Sequence, residues 1–347
     1  MATHAYTTQA GRINEVKGET LAHATQIEVL SLGCKMKQMP KKQGDNITYR
    51  RWLPFGATST NVNTQNRPSV TAAAHIVSEG VTPAADTMTP VDVTVTQQQY
   101  ACLYSYTDKA AELYEDDIPE EMKVQSGERM GLVREMIRFG SIKAGTNVIY
   151  SGGTTRLTVD EKITLNVLRR MTRILKLNHA KKKRRILAPG PNYDTSAVEA
   201  AYIVFVSTDA EADIRDLPGF TVVAKYANRE PISEDEVGSC EEFRFITSPE
   251  LTAYANAGAS VGATGLVSTG ASTIDVYPFM VMGEDAVFDV ALRGMNSFTM
   301  NHLPHNKPDK SDPGGQRGYV YCGFWSAVLV ANGGWMGVIE AGVSTLT

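Results

Sequence analysis

VDVTVTQQQYACLYSYTD, residues 91–108, is the stretch whose reading decides the fold. Val91, Val93 and Val95 alternate with Asp92, Thr94 and Thr96, the period of two that puts one set of side chains on each face of a β-strand. The strand reads on through Gln99 to Asp108. Upstream, residues 46–55 (NITYRRWLPF) form a partner strand, ended by Pro54 and Gly56. Between the two, residues 56–90 are rich in Thr, Ser, Asn, Ala and Pro and offer little for a core. Connections of that length are uncommon inside compact domains and usually carry a function or lack fixed structure. Two strands joined by a long polar segment predict one extended hairpin arm.

On the N-terminal side, residues 1–45 are polar and weakly periodic, with Lys35, Lys37, Lys41 and Lys42 around Met36, Met39 and Pro40. Few apolar anchors mean that this arm cannot offset its own ordering entropy, so it orders against something else. One short helix is expected around residues 21–30. After the hairpin, residues 120–150 carry the longest helical signal: Met130, Val133, Ile137 and Ala144 mark one stripe, and Leu132, Met136 and Phe139 mark its neighbour. Gly127, Gly131, Gly140 and Gly145 lower its helix propensity, and Gly152-Gly153 ends it. Thr158 and Glu161 read as a capping box for a second helix. Its buried face is Ile163, Val167, Met171 and Ile174, and its end is the run Lys181, Lys182, Lys183, Arg184 and Arg185.

The chain then alternates. Strands are expected over residues 202–207, 220–226 and 243–247, with a short helix at 209–217 stopped by Pro218-Gly219. Residues 255–272 form a Gly/Ala/Ser/Thr loop. Further strands fall at 275–283, 286–292, 297–302, 319–330 and 335–340, with a polar loop at 306–318. The class is α+β, without an internal repeat.

Bulk properties fit this plan and exclude several others. The 347 residues, 42% hydrophobic and 21% charged, suffice for one elaborated domain or two ordinary ones. A net charge of −4 argues against a dedicated nucleic-acid or membrane-surface binder. The opening residues MATHAYTTQAGRINE have neither a basic nor an apolar region of a signal peptide, so synthesis in a cytoplasm without export is expected. Residues 325–331, the longest apolar run, are too short to span a bilayer. Cys34, Cys102, Cys240 and Cys322 are scattered and form no metal or redox motif, so packed, reduced thiols are expected.

The order of parts resembles the Hong Kong 97-like capsid fold of tailed-bacteriophage major capsid proteins: polar arm, long hairpin, long helix, mixed α/β segment, closing strands. The wording resembles that family too. EGVTP at residues 79–83 follows the strand carrying Arg50, Arg51 and Trp52. YIVFVSTDAEADIRDLPGF (202–220) precedes KYANREPISEDEVGSCEEFRFITSPE (225–250), then VYPFMVMGEDAVFDVALRG (276–294) and SDPGGQRGYVYCGFWSAVLVANGGWMGVIEAG (311–342). Together these cover roughly residues 40–345.

The resemblance implies an N-terminal arm over residues 1–45 and an extended loop over 46–100. It implies a peripheral domain from 101–154 and 284–347, with a spine helix at about 120–150, and an axial domain over 155–283. It implies self-assembly into hexamers and pentamers that close as an icosahedral virion shell around double-stranded DNA, built in the host cytoplasm as a late product. Scaffolding, portal and decoration proteins are the expected partners, with non-specific DNA contact and no membrane. Arg50, Arg51, Trp52, Glu79 and Gly80 would lie in the assembly interface. Gly131 and Gly140 would let the spine flex. Lys181 to Arg185 would form an intersubunit or lumenal basic patch.

No cofactor is implied, and catalytic machinery is not legible. His302 and His305, with Asp309 and Asp312 nearby, have metal-like spacing, but on a Pro-interrupted loop that does not fix both rings on one face. No phosphate loop and no nucleophile elbow is present. The acidic runs Glu115-Asp116-Asp117 and Glu234-Asp235-Glu236 read as solvated surface. Two other readings stand beside the capsid: an encapsulin-like compartment shell, and a metal-dependent hydrolase built on the His302 region.

Overall fold

A computed structural model describes residues 28–346 except 43, 58–65, 84, 115–116, 187–196, 227–230, 263–264, 295–297 and 309. The helix expected at 21–30 and most of the N-terminal arm lie outside the described residues.

The described chain opens with a 3-10 turn, Leu30–Leu32, and strand β1, Lys35–Met39. The expected hairpin follows as β2, Asn46–Trp52, paired antiparallel with β3, Pro90–Thr96, in register from Asn46↔Thr96 to Trp52↔Pro90. The strand expected to run unbroken through residue 108 instead breaks at Gln97. There the backbone N–H donates to Asp45 O (2.8 Å) and the buried side-chain amide turns to Val290 O (3.3 Å). Beyond the break, β4, Gln98–Thr107, leaves the hairpin and joins another sheet.

Helix α1, Asp108–Leu113, leads into the long helix α2, Ile118–Lys143. Asp117 caps α2 by accepting from Glu120 N (3.2 Å), and acids begin it while Lys143 ends it, matching the helix dipole. It stops about two turns before the expected end. Gly145 sits against Met336, and Asn147 Nδ2 donates to Met336 O (2.8 Å), which turns the chain into β5, Val148–Tyr150.

The capping box read at Thr158 and Glu161 does not start a helix. Thr158 ends a short 3-10 turn, and α3, Leu165–Leu177, begins after Thr164. Val167, Leu168, Met171 and Leu175 bury one face of α3. The helix also ends before the basic run. His179 adopts a positive φ of 54°, and Ala180 N closes the turn onto Leu175 O (2.9 Å), a left-handed helix stop without glycine. The basic run continues into β6, Lys183–Ile186.

Next come β7, Ala197–Ser207, α4, Glu211–Arg215, β8, Thr221–Val222, β9, Glu236–Cys240, and β10, Phe243–Ser248. The strand expected over 220–226 shrinks to β8 followed by a 3-10 turn, and β9 was not anticipated. The last strands are β11, Tyr277–Met282, β12, Val287–Leu292, β13, Thr299–Leu303, β14, Arg317–Val330, and β15, Met336–Ala341.

Two large sheets organise these elements. One runs β5-β15-β11-β7-β10-β9-β8, with β6 on β7. Its central strands β10, β11 and β15 are buried at every residue, as strands covered on both faces must be. Helices α3 and α4 cover one face through Leu168, Met171 and Ile214. The C-terminal part of α2 covers the other through Phe139 and Ile142, together with Val29 and Leu30. The second sheet runs β1-β12-β14-β13, with β4 on β14, and α2 lies against it through Met130. The two sheets therefore share α2. The closing strand β15 and the short β5, both expected in the peripheral part, pair inside the eight-stranded sheet.

Candidate functional site

The hairpin lies with one face on the body and the other in solvent. Its outer face is polar and cross-linked: Thr48 and Thr94 hydroxyls meet at 2.8 Å, and Arg50 donates from Nε and Nη2 to Asp92 at 2.7 Å each. Those are cross-strand partners in direct register, which fixes the pairing. The inner face carries Ile47, Tyr49 and Val95, which pack on Met39, Val290 and Ala327. Arg51 shares this inner face, and its Nη1 donates to Asn66 Oδ1 (2.8 Å), whose amide reaches Asn332 Oδ1 (2.8 Å). Trp52 is half exposed at the end of the ladder.

Past the ladder, the described residues between β2 and β3 form no hydrophobic cluster of their own. Gly56 turns with a positive φ of 68°, and Ser69 N donates to Phe55 O (2.9 Å). Glu79 and Gly80 form a tight turn, Val81 N to Ser78 O at 3.1 Å, in which Gly80 has a φ of +76°. Along this segment Val70, Ile76, Val77, Val81 and Met88 all face solvent, Ile76 at 78% and Met88 at 76% exposure. These aliphatic side chains lie on the segment that connects β2 and β3, not on the strands themselves.

The root of the N-terminal arm is held by a buried carboxylate and a partly buried ammonium that sequence reasoning did not find. Glu135 on α2 is fully buried, and its Oε1 accepts from the N–H groups of Val29 (2.9 Å) and Leu30 (2.7 Å), the start of the 3-10 turn. At the other end of that turn Lys183 Nζ donates to Leu32 O (2.8 Å) and to Gly33 O. A carboxylate on free N–H groups and an ammonium on free carbonyls is the arrangement that a helical turn's ends favour. Arg138, one turn beyond Glu135, donates to Asp289 Oδ2 from Nε (2.9 Å) and Nη2 (2.7 Å), and Glu28 lies at its edge. Burial pushes the Glu135 carboxyl up, and its two N–H donors and Arg138 pull it back. Burial lowers Lys183 to about 8 and pushes the neighbouring Cys34 thiol up to about 12.

This geometry corrects the reading of the basic run as a helix terminus presenting five cations. Lys183 points inward as the clasp, Lys182 lies near Glu242 at 3.4 Å, and Lys181 is exposed. The side chains of Arg184 and Arg185 lie outside the described residues. No short motif announces an inward lysine inside a basic run; only the partner carbonyls, about 150 residues away in sequence, identify it. On α2, Gly131 is buried, whereas Gly140 faces open space.

The two histidine rings both lie against Tyr106, and each has a partner of its own. His302 lies on β13, not on a loop, with Nε2 2.8 Å from Tyr106 Oη, and burial lowers its pKa. His305 Nε2 meets Glu112 at 3.1 Å. Among the described residues no group of three or more His, Cys, Asp or Glu side chains is arranged to hold a metal ion. Among them, too, no helix is long and apolar enough to cross a membrane.

Comparison with solved structures settles the architecture. A capsid protein of cyanophage Pam1 superposes with a TM-score of 0.61 at 13% identity, covering 98% of this chain and 99% of that one. The chain has the Hong Kong 97-like phage capsid fold. The capsid protein of Ralstonia phage GP4 matches at a TM-score of 0.60 and 10% identity, covering 97% of both chains. The head of Helicobacter pylori bacteriophage KHP40 matches at 0.59 and 10%, covering 96% of both. By sequence, the major capsid protein of Pseudomonas phage KPP21 is 20% identical over 264 residues, 70% of this chain and 66% of that relative. No family model matches the sequence. The likeness to phage major capsid proteins read from the sequence is borne out. The compartment-shell and hydrolase alternatives find no support in these relatives.

Proposed function

We propose that this chain is the major capsid protein of a tailed bacteriophage, a structural protein and not an enzyme. Hexamers and pentamers of it close into the icosahedral virion shell around double-stranded DNA. The observation that carries this reading is the agreement along the chain with a chain of the cyanophage Pam1 capsid, 98% of this chain against 99% of that one. The exposed hairpin supports it. In a ring of heterologous contacts each subunit lays the same surface on the next, and the rotation closes the set. Residues 46–100, with Arg50, Arg51, Trp52, Glu79 and Gly80, form the arm laid over the neighbour, where Ile76, Val81 and Met88 become buried. Residues 1–45 reach across a second interface from the Glu135–Lys183 clasp.

The peripheral part centres on α2 and the five-stranded sheet, and the axial part on the eight-stranded sheet. Gly140, open on its outer side, and Gly131 are where α2 bends as the shell changes shape. Scaffolding and portal proteins, a decoration protein and packaged DNA are the outside partners, and assembly takes place in the host cytoplasm. Lys181 and Lys182 remain as a small intersubunit or lumenal cationic surface. The test is negative-stain microscopy of the overexpressed full-length chain. Uniform closed shells or ring-shaped capsomers are expected. A chain that stays monomeric at high concentration, with and without a co-expressed scaffold, would overturn the proposal.

A further inference from the structure

Of the four thiols, two face each other. Cys102 on β4 and Cys322 on β14 are direct partners in the antiparallel ladder. Residues directly opposite in such a pair project from the same face of the sheet, and here both enter the cluster of Met130 and Phe324 beneath α2. Direct partners have Cα atoms about 4.5 or about 5.5 Å apart, depending on their place in the hydrogen-bond pattern. A disulfide spans roughly 4.4–6.8 Å between Cα atoms and about 3.5–4.5 Å between Cβ atoms; directly opposite Cβ atoms lie about 4.5–5.5 Å apart, so the bond asks for a small local approach of the two strands. Cys240 lies in a different cluster, on the α3 side of the eight-stranded sheet, and Cys34 packs beside the arm root.

Position gives the pair a consequence. β4 is the strand that continues from the hairpin and precedes α2, whereas β14 is the long strand on which β4, β12 and β13 all pair. A bond between Cys102 and Cys322 would fix the base of the hairpin-bearing segment to the middle of the five-stranded sheet, closing a covalent loop around everything between them. Closing long loops restricts the unfolded chain and thereby favours the folded one.

We propose that Cys102 and Cys322 form a cross-strand disulfide when the protein leaves a reducing cell and meets a peroxide, locking β4 to β14. One thiol attacks the peroxide O–O bond, giving a sulfenic acid and releasing water. The second thiol then attacks that sulfur, expelling a second water as the S–S bond forms. The two sulfurs together lose two electrons and the peroxide gains them. Cys102 is the entry point, since it retains 8% exposure while Cys322 has none. Burial raises both thiols above their ordinary range, which keeps the thiolate scarce and the reaction slow. Reducing cytoplasm keeps the pair open during assembly, and the bond accumulates afterwards. Only that timing rests on the shell reading; the pairing of the two cysteines does not.

The test uses full-length protein purified under reductant, then freed of it and held in hydrogen peroxide long enough to oxidise a glutathione control completely. The sample is denatured, alkylated and digested without reduction for mass spectrometry. The expected product is a peptide pair joining Cys102 to Cys322, two hydrogens lighter than the separate thiol peptides and split by dithiothreitol. Alkylation is expected to be lost at those two cysteines and kept at Cys34 and Cys240. Oxidation should also raise the thermal unfolding midpoint of the wild type and leave that of Cys102→Ser unchanged. The proposal is overturned if both cysteines stay alkylatable, if they oxidise separately to sulfinic or sulfonic acids, or if either pairs preferentially with Cys34 or Cys240.

Discussion

Replacing Glu135 by alanine tests the clasp at the arm root. The carboxylate is fully buried, and its Oε1 accepts from Val29 N and Leu30 N at 2.9 and 2.7 Å. Without it, both N–H groups stay inside the protein with no acceptor, a loss of about 1–3 kcal/mol each. Arg138 also loses a partner at 3.4 Å, but it keeps two bonds to Asp289, so no orphaned charge is left behind. The sum is about 2–6 kcal/mol, a span that includes the cost of breaking a buried charged network. Glu135→Gln keeps an acceptor for the two N–H groups but turns a donor toward Arg138, and should cost less, about 1–2 kcal/mol. Urea unfolding followed by circular dichroism gives the stability difference, and hydrogen exchange at the Val29 and Leu30 amides reports the arm root itself. An alanine variant within about 1 kcal/mol of wild type, an ordinary surface-substitution effect, with undiminished protection at those amides would refute the reasoning.

Other outcomes follow from the same contacts. Lys183, lowered by burial from its ordinary 10.5 to about 8, binds fewer protons folded than unfolded between those values. Stability should therefore rise with pH across that window, by at most about 3 kcal/mol. Lys183→Met should abolish the rise in a pH series of unfolding curves. Gly318→Ala would set a methyl group 2.1 Å from the Tyr106 ring, itself buried, and should lower the unfolding free energy by about 1–3 kcal/mol in urea titration. Changing Lys181 and Lys182 to Gln should leave DNA retention by formed shells intact; normal shells that lose only their DNA would show those cations to be a nucleic-acid contact. Elemental analysis of purified protein should find no transition metal, and about one zinc per chain, removed by His302→Ala, would reverse the reading of that histidine.

The parts of this fold that were legible in the sequence were those with a strong local period. β3 announced itself by alternation, β2 as a short run ended by Pro54 and Gly56, and α2 and α3 by apolar residues at helical spacing. β1 and β9 did not, because KMKQM and EVGSC are short and polar and become strands only by pairing with β12 and β10. The break at Gln97 was invisible for the same reason: a buried amide reaching Val290 is a tertiary event. The end of α3 was missed because a histidine, not a glycine, takes the left-handed position. At the candidate site the hairpin was readable as a long segment with nothing to bury. Glu135 and Lys183 were not, since each looks like an ordinary surface charge until the chain brings residues 29–33 against it.

The central claim, that the hairpin is the arm by which one copy holds the next, is tested most directly by deleting it. Residues 58–88 are replaced by a short Gly-Ser turn, which leaves the β2–β3 ladder able to close; loop shortening changes closure entropy by only about 0.6 kcal/mol per halving of length. Sedimentation velocity then compares wild type and deletion, with circular dichroism confirming the fold of each. The account predicts closed shells for the wild type and folded, slowly sedimenting subunits for the deletion, because the same contact is missing around every ring. A deletion variant that still sediments as closed shells of normal size would contradict it.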